Sequence, residues 1–100
     1  MRNLILTLTL TALAATAGAQ TIGQRERNQQ DRIAQGVRSG SLTPRETVRL
    51  EREEARTRAM VRRDRADGGG MTAAERARAQ SRLNRTSRDI SRLKHNNRGR

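Results

Sequence analysis

Residues 71–93 read MTAAERARAQSRLNRTSRDISRL, and this stretch decides the fold class. It opens on Thr72-Ala73-Ala74-Glu75, the pattern of a capping box. In that motif the Thr hydroxyl accepts from the amide three residues on, and the Glu side chain returns to the Thr amide. Ala79, Leu83, Thr86, Ile90 and Leu93 then recur at spacings of four, three, four and three. This is a heptad-like stripe along one face of a helix, as in a coiled coil. Arg82, Arg85, Arg88 and Arg92 fall between the stripe positions. The helix is therefore apolar on one side and basic on the other.

An earlier segment repeats the opening. Gly40-Ser41-Leu42-Thr43-Pro44-Arg45-Glu46 matches Gly69-Gly70-Met71-Thr72-Ala73-Ala74-Glu75 when the chain is shifted by 29 residues. The same shift pairs Arg49 with Arg78 and Arg56 with Arg85. Pro44 falls at the first helical position, where its missing N–H costs nothing. The signals predict helices over about 24–37, 44–65 and 73–94, with a disordered basic tail over 96–100. The first helix offers Ile22, Ile33, Gly36 and Val37 for burial. In the second, Val48, Ala55, Ala59 and Arg62 share one face, while Leu50 and Val61 lie on another. Its charged run, Arg49 to Arg58, reads as a solvated face with i,i+4 pairs such as Glu54–Arg58. The expected fold is all-α: a loose two- to three-helix hairpin or bundle over residues 20–95.

Residues 1–19 carry a different signal. Arg2 precedes an uncharged Leu- and Ala-rich run, and Ala17-Gly18-Ala19 fits the small-x-small rule for signal-peptide cleavage. The expected cut follows Ala19, with Ala15-Thr16-Ala17 as a second candidate. The apolar run is too short to span a bilayer, which takes about 20 residues. Export to the periplasm or the medium follows. The remainder, Gln20 to Arg100, has no cysteine and no aromatic residue. It can form no disulfide, and it lacks the side chains that normally supply much of a core. Low hydrophobicity beside a net charge of +12 for the whole chain points to marginal stability, or to folding on a partner. An Ala79–Leu93 stripe left partly uncovered would favour a homodimer.

Arginine is the feature that suggests a partner. Arg82, Arg85, Arg88, Arg92, Arg98 and Arg100 concentrate charge towards the C-terminus. Such a surface attracts lipid headgroups, lipopolysaccharide phosphates or acidic proteins. It also predicts non-specific nucleic-acid binding in vitro. Catalysis is disfavoured, because His95 is the sole histidine and no general base or nucleophile is placed beside it. The glycines do not form a phosphate loop, since no Gly-Lys-Ser/Thr follows them.

The two Gly-rich turns also fit the frame of a 12-residue calcium loop. Asp64, Gly69, Met71, Thr72 and Glu75 take positions 1, 6, 8, 9 and 12 of one frame. Ser39, Gly40, Leu42, Thr43 and Glu46 take positions 5, 6, 8, 9 and 12 of the other. Ala66 and Gly68, or Gln35 and Val37, stand where carboxylates belong. The loops are thus degenerate, with Asp64, Thr72 and Glu75 the candidate calcium ligands.

The paired Gly-x-Leu/Met-Thr-x-x-Glu segments, with Asn84-x-x-Ser87-x-x-Ile90 and Lys94-His95-Asn96, resemble a group of small exported bacterial proteins of unknown function. That resemblance spans most of the chain after residue 19 and implies no activity. Leu42-Thr43-Pro44-Arg45-Glu46 is similar to the Leu-Thr-x-x-Gln segments of Spy/CpxP-like periplasmic helical proteins, with Glu in place of Gln. This second resemblance implies chaperoning or envelope stress sensing. The expected function is therefore a non-enzymatic exported protein that binds anionic envelope components or client proteins. A degenerate EF-hand-like module with weak or lost calcium binding is the alternative.

Overall fold

A computed structural model describes residues 21–98, and the expected signal peptide over 1–19 lies outside the described residues. The fold is all-α. Helices α1 (Ile22–Ser39), α2 (Pro44–Ala66) and α3 (Ala73–Arg98) follow one another through two short turns. α3 packs against both other helices, and α1 and α2 touch each other least. No helix among the described residues is long and apolar enough to cross a membrane.

Each helix begins with a reciprocal capping box. Thr43 Oγ1 accepts from the Glu46 amide at 3.1 Å, and Glu46 Oε1 accepts from the Thr43 amide at 2.9 Å. Thr72 and Glu75 do the same at 3.1 and 2.8 Å. Thr21 and Gln24 make a third such box, both bonds at 3.1 Å. It starts α1 two residues before the expected Gln24, because Gln at N3 serves as well as Glu. α3 also runs past its expected end at Lys94, into the segment expected to be disordered, as far as Arg98. Asn96 and Asn97 do not stop it; Gly99 is the first strong breaker.

α1 ends at Gly40, whose φ of 76° puts it in the left-handed region that favours glycine. Leu42 then turns back onto the helix, and its amide donates to the Gly36 carbonyl at 3.0 Å. Gly36 makes room for it: a Cβ there would stand 2.6 Å from Leu42 Cδ1 and 2.7 Å from its Cγ. Gly36→Val is accordingly expected to destabilise the fold by about 1–3 kcal/mol through overpacking. Gly23→Ala, whose Cβ would meet only Arg27 Nη1 at 3.7 Å, should leave the thermal midpoint nearly unchanged. Circular-dichroism melts of the two variants make the comparison; equal midpoints would show that Leu42 is not seated as described.

All three helices carry the same four-three-four-three stripe. It runs through residues 79, 83, 86, 90 and 93 of α3, all buried. In α1 it passes through Ile22, Glu26, Gln29, Ile33 and Gly36, and in α2 through Leu50, Glu54, Thr57, Val61 and Asp64. For α2 this decides between the two faces that the sequence left open. Val48 is 51% exposed, and Ala55, Ala59 and Arg62 also face solvent. The Leu50–Val61 face won because it alone brings two large apolar residues into one register.

The core falls into two apolar clusters. Ile22, Met60, Val61, Ala79 and Leu83 fill one end, with Met71 laid against them. Ile33, Leu42, Leu50, Ile90 and Leu93 fill the other. Between them lies a buried polar layer of Gln29, Glu54, Thr57 and Thr86. The Ala79–Leu93 stripe is covered within one chain, by α1 and α2.

Side chains of α1 stitch that helix to α3. Arg25 donates to Gln80 Oε1 and to Asn84 Oδ1, the latter at 2.6 Å. Gln29 Nε2 donates to the Leu83 carbonyl at 2.7 Å. Arg32 donates to the hydroxyls of Ser87 and Ser91 and to the Ser87 carbonyl. These arginines are structural.

Candidate anion-binding groove

A groove of about 360 Å³ runs between α2 and α3. Arg49, Arg52 and Arg56 line it from α2, and Arg82 and Arg85 from α3, with Glu53, Thr86 and Asp89 among its other lining residues. Arg49, Arg56, Arg82 and Arg85 each immediately precede a buried stripe residue, Leu50, Thr57, Leu83 and Thr86, whereas Arg52 stands further round α2 on its exposed face. One helical turn separates Arg52 from Arg56, and nearly one separates Arg82 from Arg85, so each helix presents a pair of guanidiniums.

The carboxylates organise this set. Glu53 Oε1 accepts from the Thr86 hydroxyl at 3.3 Å, and its Oε2 stands 3.8 Å from Arg49 Nε. Burial raises the Glu53 carboxyl above its ordinary range, and the neighbouring Asp89 carboxyl pushes it further the same way. Asp89 in turn holds Arg92 at 3.3 Å. Arg49 and Arg92 are thus paired. The guanidiniums of Arg52, Arg56, Arg82 and Arg85 make no hydrogen bond or ion pair among the described residues.

The arginines expected to form an anion site are divided by the fold. Arg82 and Arg85 line the groove. Arg88 is exposed on α3, outside the groove lining. Arg92 lines a separate shallow recess with Arg32, Lys94 and His95. Arg98 closes α3, and Arg100 lies outside the described residues. Sequence reasoning missed Arg49, Arg52 and Arg56, having assigned them to a solvated face. The 29-residue repeat held a trace of them, since it matches Arg56 to Arg85 and both line the groove.

The candidate calcium ligands sit apart in role. The Thr72 hydroxyl and Glu75 Oε1 are engaged in capping α3. Asp64 belongs to the last turns of α2, half-buried, with Oδ2 unpartnered. Among the described residues no three His, Cys, Asp or Glu side chains come together in a way that could hold a metal ion. His95 is exposed among the cationic side chains of its recess.

Comparison with protein-family models, curated proteins and solved structures finds no match to this chain. The groove itself therefore carries the functional reading.

Proposed function

We propose that the chain is an exported, non-enzymatic helical protein that binds anionic components of the cell envelope, or acidic client segments, through its arginines. The observation that carries this reading is the set of four unpaired guanidiniums gathered on facing helices. Unpaired, clustered cations raise the local potential and draw in anions, whereas paired surface charges contribute little. The exposed Arg88 and Arg92 extend the basic surface along α3. A stress-protective or chaperone-like role fits the same surface, with client segments held by charge, since the large exposed apolar side chains among the described residues are Val37 and Val48.

Sedimentation with lipid vesicles tests the binding. The chain should pellet with phosphatidylcholine vesicles containing phosphatidylglycerol, not with phosphatidylcholine alone, and should be released as salt screens the charges. Failure to pellet even at low salt would remove the reading. Export is checked by the N-terminus of the product made in a bacterial host. It should begin at Gln20; a product that keeps Met1 inside the cell would refute export.

A further inference from the structure

We propose that the α2–α3 groove is an oligophosphate site, taking a ligand with two or more consecutive phosphoryl groups. This rests on the anion-binding reading above and specifies its ligand chemistry. A guanidinium fork matches two oxygens of one phosphoryl group, with geometric specificity that an ammonium lacks. Arg52 and Arg56 offer two forks about 5–6 Å apart on α2, and Arg82 and Arg85 offer two more on α3. Packed helix axes stand about 8–10 Å apart. A single phosphate cannot reach all four forks, whereas a linked pair or short chain can bridge them.

The rest of the groove selects in the same direction. Glu53 and Asp89 are occupied with Arg49 and Arg92 and repel an anion that comes close to them. The ligand is therefore held by the four free arginines. The chain has no Phe, Trp or Tyr, so the groove lacks the aromatic platform on which bases usually stack, and the phosphoryl groups are what its guanidinium forks match best. Such groups come from a free phosphate chain or from a lipid headgroup.

Titration calorimetry with tripolyphosphate and with orthophosphate tests the proposal. Tripolyphosphate should bind the chain about tenfold or more tighter than orthophosphate. Arg52→Gln/Arg85→Gln should lose about tenfold or more of that affinity. Arg27→Gln/Arg38→Gln, which removes equal charge from exposed positions of α1, should stay within about twofold. Arg52→Lys/Arg85→Lys keeps the charge without the fork and should lose an intermediate amount. All variants are compared at matched helicity, and none removes an ion pair described above. Equal weakening by the two glutamine pairs, or equal affinity for the two phosphates, would overturn the proposal and leave vesicle binding to stand on charge alone. If phosphatidylcholine vesicles doped with a lipid diphosphate displace tripolyphosphate from the chain, the phosphoryl groups are lipid-borne; failure to displace it assigns the free chain.

Discussion

Glu54→Leu should raise the thermal midpoint by roughly 10–20 °C near pH 8, because the wild-type chain keeps a carboxyl in its core without a partner. Glu54 is 0% exposed, and neither of its oxygens is hydrogen-bonded. It lies on the α2 stripe between the two apolar clusters. Glu26 Oε1 and Gln29 Oε1 are also buried without partners, so acceptors in this part of the fold outnumber donors. Burial pushes the Glu54 carboxyl up to about 7; Arg58 opposes the shift, and Glu26, Glu51 and Glu53 add to it. The folded state therefore holds this proton more tightly than the unfolded chain, whose carboxyl titrates near 4.5. The associated stability is fully present below about pH 4.5 and is lost as pH rises through about 7. The loss amounts to roughly 3 kcal/mol. Glu53, also raised, acts with the same sign. Glu54→Gln should remove most of this slope, since its amide brings two donors to the layer, and Glu54→Leu should add apolar burial. Denaturant unfolding between about pH 5 and pH 8 reads the effect. Wild type and Glu54→Gln should diverge as pH rises; curves that stay parallel would show that Glu54 is solvated or paired.

That same residue explains what the sequence could and could not reveal. The α3 stripe was legible because four of its five members are apolar. The stripes of α1 and α2 obey the same spacing, but Glu26, Gln29, Glu54 and Thr57 occupy their middles. A hydrophobic pattern interrupted by its own central turn does not stand out, and the Val48 and Leu50 faces of α2 could not be told apart. Capping boxes at Thr43 and Thr72 were legible from local chemistry alone. The box at Thr21 uses Gln in place of Glu and directly follows the stretch that reads as an export signal, which obscures it. The groove was half legible. Arg82 and Arg85 belong to an evident basic face, but Arg52 and Arg56 become part of a site only when α2 and α3 are neighbours. Pairing in space, unlike periodicity, is not written along a single helix.

Leu83→Ala should unfold much of the population at room temperature. Leu83 is fully buried at the centre of the Ile22, Met60, Val61 and Ala79 cluster. Its backbone carbonyl also accepts the Gln29 side chain, so α1 is anchored at the same level. Truncating a buried Leu to Ala typically costs about 2–5 kcal/mol, set by how far the cavity collapses. Collapse is limited here, because Leu83 is enclosed by residues of three helices. No disulfide holds the unfolded chain together, and no aromatic side chain offers spare burial. A chain of this size has only a few kcal/mol in reserve, and the unpartnered Glu54 already draws on it. The loss from Leu83→Ala is therefore comparable to the whole. Val48→Ala, at an exposed position, should melt within a few degrees of wild type and serves as the control. The deficit at one end of the bundle should be recoverable in the middle. Adding Glu54→Leu to Leu83→Ala should restore a cooperative helical melt, because it removes a buried charge and joins the two apolar clusters. A double variant that stays unfolded would mean that the two ends of the core do not share one cooperative unit, and that the polar layer separates them in stability as it does in space.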